Sequence, residues 1–205
     1  MKIDRLEPSA HKKGRVLVFL DSGACLKITE RELLEFGLHA GDELPDETLQ
    51  RLRESAGLSN VRAKAAEMIA KRPLSRNALI RKLTEKGASP DEAAQAADWL
   101  TSIGALNDEE YAATLARECA AKGYGAAKIR AKLYEKGVSK ELWDAAMSDL
   151  PECDAQIDAF LSRKLFGGAP TADEKRRLTS SLLRRGFAWD DIRAAWERYG
   201  ENISE

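Results

Sequence analysis

The chain has 205 residues, 43% of them apolar and 33% charged, and its formal net charge is −1. No apolar run approaches the roughly 20 residues that span a bilayer, and the first residues lack the apolar centre of a signal peptide, so we expect a cytoplasmic protein. Three widely spaced cysteines, Cys25, Cys119 and Cys153, argue against a disulfide framework or a thiolate metal site, and we expect them to be reduced and mostly buried.

The first 59 residues differ in pattern from the rest of the chain. Residues 15–28 place β-branched and apolar residues on both sides of turn formers at 21–23, which predicts a β-hairpin. Short helices are predicted near residues 30–36 and 46–55, and the hairpin must pack on them because a lone hairpin is only marginally stable. We therefore predict a small α+β head over residues 1–59, with its junction to the rest at residues 57–60.

A helix that ends in a basic residue and a glycine then occurs three times. The closing glycines are Gly87, Gly137 and Gly186, and they lie about 50 residues apart, which is the mark of a structural repeat. Glycine suits the left-handed position that follows a helix, so each of them is predicted to end its helix.

Caps and helix breakers divide each repeat into three helices. In the first repeat Pro73 ends one helix, Ser75 caps the next, and Ser89 opens the third with a proline in its first turn. The corresponding signals in the later repeats are Asn107, Gly123, Gly125, Gly137, Ser139, Pro151, Gly167, Gly168, Thr171 and Gly186. We predict a mainly α protein in which the head precedes three tandem three-helix repeats, at residues 60–106, 107–151 and 152–205, in an elongated row of nine helices.

Apolar residues at equivalent positions predict the cores of the repeats. They stand eight and four residues before each glycine and one, ten and thirteen residues after it, which is a helical stripe. The set comprises Leu79, Leu83, Ala88, Ala97 and Leu100; Ile129, Leu133, Val138, Met147 and Leu150; and Leu178, Leu182, Phe187, Trp196 and Tyr199. Trp99, Trp143, Trp189 and Trp196 fall in third helices or their entry turns, and we predict that they belong mainly to the cores.

Basic residues gather on the second helix of each repeat, whereas the third helices of the first two repeats are mainly acidic. The basic set comprises Arg76, Arg81, Lys82 and Lys86; Lys128, Arg130, Lys132 and Lys136; and Lys175, Arg176, Arg177, Arg184 and Arg185. Cations in a last turn are favoured by the helix macrodipole, but those in a first turn are not. The cations that we predict in first turns are Arg76, Lys128, Lys175, Arg176 and Arg177. A solvated helix face would explain the basic residues of any single repeat. Because the excess of basic residues occurs in all three repeats, we predict that they form a surface that binds a protein or DNA partner.

Catalytic interpretations find little support in the residues. The only histidines are His11 and His39, both in the head, so the sequence indicates neither a histidine-rich metal site nor a Ser-His-Asp triad. The pair Gly123 and Gly125 lacks the later glycine and the lysine of nucleotide-binding loops. Three acids at 108–110 stand where a helix start favours them. We expect no enzymatic activity, no metal and no cofactor.

The order of these residues resembles the RecX family of regulatory proteins over roughly residues 60–200. The first part of the resemblance lies in Arg62, Ala65, Ile69, Arg72, Ser75, Leu79, Leu83, Lys86 and Gly87, followed by Leu100, Gly104, Asp108, Tyr111 and Ala112. The second part lies in Gly125, Ile129, Leu133, Lys136 and Gly137, and then in residues 184–187 with Phe187 last.

This resemblance implies tandem three-helix repeats that bind the RecA recombinase, above all its filament on single-stranded DNA. It also implies inhibition of ATP hydrolysis and strand exchange, and hence a part in recombination, DNA repair and the SOS response. We expect a monomer that binds no membrane and has at most weak, non-specific affinity for bare DNA.

Two other functions stay open at this point. Three-helix repeats with a basic helix are similar to helix-turn-helix proteins that bind DNA directly, although the net charge of −1 and the scarcity of side chains suited to base edges count against this. A helical adaptor for another partner is the second alternative.

Overall fold

A computed structural model of the chain describes residues 1–166 and 168–204, with the backbone alone for 201–204. Contacts divide the chain into two compact units, which are described separately below. The first contains residues 1–73 and 79–106, and the second contains residues 74–78 and 107–205.

A three-stranded antiparallel sheet opens the first unit. Its strands are β1 (Ile3–Pro8), β2 (Arg15–Leu20) and β3 (Cys25–Thr29), in the order β1-β2-β3. The predicted hairpin is confirmed as β2 and β3, while β1 was not predicted. Only Ile3 of β1 is buried, so this strand carries almost no apolar signal, and it is held mainly by its backbone pairing with β2.

The helices after the sheet are α1 (Glu30–Glu35) and α2 (Asp46–Lys71), and α2 corrects one prediction. Residues 57–60, predicted as the junction between the head and the first repeat, lie inside this single 26-residue helix. Tertiary contacts hold them there: Ser59 Oγ lies 3.0 Å from a guanidinium nitrogen of Arg15 and 3.2 Å from a carboxylate oxygen of Glu32. The Asn60 amide donates to the carbonyl of Lys27 at 2.9 Å. Packing therefore outweighs the weak helix propensity of a Gly-Leu-Ser-Asn segment.

The first unit has a core in which the sheet and α2 meet. Val16, Val18 and Ile28 from the sheet pack with Leu49 and Leu52 of α2. The unit continues into α3 (Arg76–Thr84) and α4 (Pro90–Ser102), although residues 76–78 of α3 belong to the second unit. Ser89 caps α4 in a reciprocal capping box with Glu92, as its sequence predicted.

The second unit contains six α-helices in its described part after residue 106. These are α5 (Asp108–Ala121), α6 (Ala126–Glu135), α7 (Trp143–Met147), α8 (Cys153–Leu165), α9 (Ala172–Arg184) and α10 (Trp189–Ser204). A short 3₁₀ turn, Lys140–Leu142, leads into α7 and shortens the predicted third helix of this repeat. Of the predicted breakers, Gly167 lies outside the described residues. The mainly α fold is confirmed, whereas the bounds of the four predicted domains stay a prediction.

Most predicted core positions are buried. Leu83, Leu133 and Leu182 are all fully inaccessible, and so is Leu79. Three others in the predicted set, Ala88, Met147 and Leu150, are only half-buried.

Two predictions about burial are wrong. Trp189 leaves 59% of its surface exposed at the start of α10, where it lies one turn before the buried Ile192 at the end of that helix's apolar stripe. Cys25 is exposed at the start of β3, whereas Cys119 is buried as expected.

Candidate partner-binding surface

The predicted basic residues lie on α3, α6 and α9 or on the turn that ends each helix, and all of them keep some contact with solvent. Arg81, Lys86, Arg130, Lys136, Lys175, Arg176, Arg177 and Arg184 are exposed, and Arg76, Lys82, Lys128, Lys132 and Arg185 are half-buried. The leucine stripe of each helix faces the core, so the cations occupy the remaining faces. They are therefore accessible to a partner.

Four of these cations are engaged in ion pairs along their own helix or with a neighbouring one. The nitrogen–oxygen distances are 4.0 Å for Arg81–Glu85, 3.7 Å for Arg130–Asp144, 2.6 Å for Lys132–Glu135 and 2.9 Å for Arg176–Asp173. The bond to Glu135 raises the pKa of Lys132, which stays protonated at neutral pH. These pairs are largely exposed, so each contributes little to stability.

Two further cations lie over aromatic rings. The ammonium of Lys175 is 5.5 Å from the ring centre of Trp196, and the guanidinium of Arg185 is 5.1 Å from that of Phe160. Arg185 also donates to the carbonyl of Gly123 at 3.3 Å. These two side chains have a structural role in the fold of the second unit.

Arg76 aside, six cations of the set remain, and they form no salt bridge within the described ranges. In the part of the chain that the structure describes, no ion pair within 4.0 Å joins any of Lys82, Lys86, Lys128, Lys136, Arg177 and Arg184 to an acid. An unpaired surface cation is a ready site for an anionic group of a partner. This subset, which we call the unpaired cations, is the strongest part of the predicted surface.

The end of α9 lies directly against the beginning of α6. The backbone N–H groups of Gly125 and Ala127 donate to the carbonyls of Arg185 and Gly186 at 2.9 and 3.1 Å. Gly125 has no side chain that could cap α6, so the following repeat supplies the acceptors instead. A Cβ atom added to Gly125 would lie 2.5 Å from the Gly186 backbone, which shows how closely the two segments approach.

The end of α6 lies in the same way against the residues that begin α3. The hydroxyl of Ser75 donates to the carbonyl of Lys136 at 2.6 Å, and the Asn77 amide donates to that of Gly137 at 3.1 Å. Asp108 completes this contact by accepting the Arg76 backbone N–H at 2.7 Å. Burial raises the pKa of Asp108, while that hydrogen bond lowers it in part. Asp108, first considered as part of an acidic group at a helix start, thus also caps α3.

These contacts place the backbones of two first-turn cations beside the ends of other helices. Asn77, next to Arg76, donates to the Gly137 carbonyl after α6, and a Cβ added to Gly186 after α9 would lie within 2.6 Å of the backbone nitrogen and Cβ of Lys128. The carbonyl end of a helix carries partial negative charge, which favours a cation nearby.

Within the described residues, the second helix of the third repeat, α9, does not begin against the end of another helix in this way, and the structure corrects the predicted position of its cations. Lys175, taken together with residues 176 and 177 as lying in a first turn, is in the second turn of α9. Asp173 and Glu174 occupy the first turn, and Thr171 forms a capping box with Glu174. The start of α9 therefore satisfies its own N–H groups without help from another repeat.

Sequence reasoning missed two exposed apolar side chains on the same helices. Tyr134 of α6 is 71% exposed and Leu183 of α9 is 43% exposed. Each stands three residues before the closing glycine of its helix, so the repeat alignment contained a signal for them. Tyrosine is enriched in protein interfaces, and both residues extend the candidate surface beyond charge alone.

Other kinds of site receive no support from the described residues. Among them, no group of three or more His, Cys, Asp or Glu side chains is placed to hold a metal ion. No helix within the described ranges is long and apolar enough to cross a membrane.

Comparison with known proteins places this architecture in a family. The family model "RecX, second three-helix domain" matches residues 107–147. A regulatory protein RecX of Stenotrophomonas maltophilia strain R551-3 is 38% identical over 158 residues, covering 75% of this chain and 93% of that protein. A RecX of Xanthomonas axonopodis pv. citri is 36% identical over 134 residues, covering 64% and 83% of the two chains.

Solved structures agree with this relationship at the level of the fold. A crystal structure of regulatory protein RecX superposes with a TM-score of 0.73 at 19% identity, over 96% of this chain and 98% of that one. RecX from Lactobacillus salivarius gives a TM-score of 0.63 over 70% of this chain and 97% of the other. On the strength of the sequence relatives, the chain belongs to the RecX family.

Proposed function

We propose that this protein is a non-enzymatic regulator that binds the RecA recombinase assembled on single-stranded DNA and inhibits its ATP hydrolysis and strand exchange. Through this inhibition it would modulate recombination, DNA repair and the SOS response in the cytoplasm. The observation that carries the proposal is the match, over most of the chain, to relatives named regulatory protein RecX.

The unpaired cations support a partner surface of this kind. Lys128, Lys136, Arg177 and Arg184 lie on or directly after α6 and α9, and within the described residues none of them forms an ion pair within 4.0 Å. Several weak contacts made by linked repeats add up to a much stronger attachment, because each later contact is intramolecular. A partner with a periodic, acidic surface, as a protein filament offers, would engage more than one repeat at once.

Paired and unpaired cations provide a matched test of this surface. One variant replaces Lys128, Lys136, Arg177 and Arg184 with alanine, and its control replaces the ion-paired Arg81, Arg130, Lys132 and Arg176. Both variants lose four positive charges, so they change the net charge equally. We expect the first to raise the concentration needed for half-inhibition of RecA ATP hydrolysis by about tenfold or more, and the second by less than about threefold. Equal effects would mean that net charge, not this surface, governs the interaction.

Direct DNA binding is the alternative that the same variants distinguish. If phosphates were the main ligand, the parent protein would bind a bare oligonucleotide with an affinity that falls steeply with salt. The first variant would then lose that binding in parallel with its inhibition. We expect only weak binding to the bare oligonucleotide, because acids are interspersed among the cations of this surface.

A further inference from the structure

A groove between α9 and α10 is lined by residues other than the unpaired cations. It has a volume of about 390 Å³ and is lined by Lys175, Thr179, Trp189, Ile192, Arg193 and Trp196, with Glu197 and Gly200 at its edge. Ile192 and Trp196 form a buried apolar floor, and the exposed ring of Trp189 forms one wall. The groove therefore offers an apolar recess that is open to solvent.

The floor of this groove is rigidly placed. The indole N–H of Trp196 donates to Thr179 Oγ1 at 2.9 Å, and the Lys175 ammonium lies over the same ring at 5.5 Å. The indole N–H of Trp189, by contrast, donates to no acceptor within the described part of the chain. A fixed floor beside an exposed indole with a free donor is the arrangement of a binding hot spot.

The repeat itself does not account for Trp189. The residue three positions after the closing glycine is Pro90 in the first repeat and Lys140 in the second, and neither is a large aromatic residue. The scaffold can therefore be built without an exposed tryptophan at this position. The aromatic wall of the groove is specific to the third repeat.

The charges at the rim indicate which class of partner fits. Lys175, Arg193 and Glu197 line the groove, and Arg193 pairs with Asp190 at 3.4 Å, which leaves Lys175 and Glu197 as charges of opposite sign. Cations and acids are balanced here, so the rim offers no net attraction for a nucleic-acid backbone, which requires a positive surface. A protein segment that carries charges of both signs beside an apolar anchor is complementary to such a rim.

We propose that this groove holds a bulky apolar side chain of a segment of the protein partner, with Trp189 as the main contact. The inference rests on the function proposed above, because the segment belongs to the recombinase filament. Its flanking residues would place an acid near Lys175 and a basic group near Glu197. The groove would thus fix the third repeat on the partner while the unpaired cations contact it elsewhere.

The test is the binding of fluorescently labelled protein to RecA filaments on single-stranded DNA, followed by anisotropy. The variant Trp189→Ala is compared with Leu34→Ala, which removes another exposed apolar side chain, 81% accessible, from the first unit. We expect Trp189→Ala to raise the dissociation constant at least about fivefold, Leu34→Ala less than about twofold, and Trp189→Phe to recover most of the affinity. Circular dichroism and the thermal midpoint establish that each variant is folded.

Each other outcome has a defined meaning. If the parent binds the filament and Trp189→Ala binds equally well, the groove assignment is overturned while the proposed function stands. If the parent does not bind, both are overturned. If Trp189→Ala instead lowers binding to a bare oligo(dT) by as much as binding to the filament, the groove takes nucleic acid and the assignment to a protein segment is wrong.

Discussion

Alanine at Gly125 tests whether the contact between the end of α9 and the start of α6 stabilises the protein. The backbone of Gly125 has φ −79°, which any residue adopts, so alanine brings no conformational penalty of its own. Its Cβ would nevertheless lie 2.5 Å from the carbonyl carbon and oxygen of Gly186 and from the nitrogen of Phe187. The two segments must then separate, and the hydrogen bond from the Gly125 N–H to the Arg185 carbonyl is weakened.

The closing glycines supply matched controls for this change. Gly87 has φ +91° and a Cβ there would meet nothing within 4 Å, so alanine at this position carries only the cost of the left-handed backbone, about 1–2 kcal/mol. Gly186 has φ +88°, and its Cβ would also lie 2.6 Å from the Cβ of Lys128. Alanine at Gly186 therefore carries both costs.

The expected order of destabilisation follows from these terms. Overpacking costs about 1–3 kcal/mol and a weakened hydrogen bond about 1 kcal/mol, so Gly125→Ala should lower the free energy of unfolding by about 2–4 kcal/mol. Gly87→Ala should lower it by about 1–2 kcal/mol, and Gly186→Ala by more than either. Guanidinium-induced unfolding, followed by circular dichroism and tryptophan fluorescence, measures all three. A Gly125→Ala variant as stable as the parent would refute the proposed contact.

Two further predictions concern side chains away from the repeat contacts. Burial raises the pKa of Glu32, but hydrogen bonds from Ser55 and Thr29 outweigh this effect and hold the pKa below 4.5. The ionised Glu32 carboxylate therefore stabilises the fold above pH 4.5, and this stabilisation is lost as the pH falls through the lowered pKa. Glu32→Gln should flatten the acid side of a stability–pH curve, and an unchanged slope would contradict this role. Exposed Cys25 should react with a thiol reagent within seconds to minutes, whereas burial raises the pKa of Cys119 and should delay its reaction until the protein unfolds. Mass spectrometry of the labelled peptides distinguishes the two sites.

Local sequence signals predicted much of the fold because the responsible interactions are short in range. Ser89 and Glu92 form the expected capping box, and Gly137 and Gly186 adopt the expected positive φ. The leucine stripes followed from helical spacing alone. These features depend on residues within one helix or its adjoining turns.

Features that depend on distant residues were beyond such reasoning. Residues 57–60 look like a loop, but Ser59 and Asn60 are bound by side chains and backbone of the sheet, so they stay helical. Likewise, the hydrogen bond between Ser75 and the Lys136 carbonyl joins residues far apart in the chain. Periodicity identifies the closing glycines as helix ends, but it does not show which other segment lies against them.

The candidate surface was only partly accessible from sequence for the same reason. The cluster of basic residues on the second helices was evident, yet composition did not separate Arg130, which pairs with Asp144, from the unpaired Lys128 two residues before it. Nor did it show that Tyr134 and Leu183 are exposed. Distinguishing these residues requires knowing which faces of each helix are covered.

The rate of ATP hydrolysis by RecA on single-stranded DNA, measured as this protein is added, tests the central claim most directly. We predict that hydrolysis declines as the protein approaches stoichiometric ratios to RecA, and that the variant lacking Lys128, Lys136, Arg177 and Arg184 requires a markedly higher concentration. Unchanged hydrolysis at stoichiometric and higher ratios, with protein shown to be folded, would contradict the proposed function.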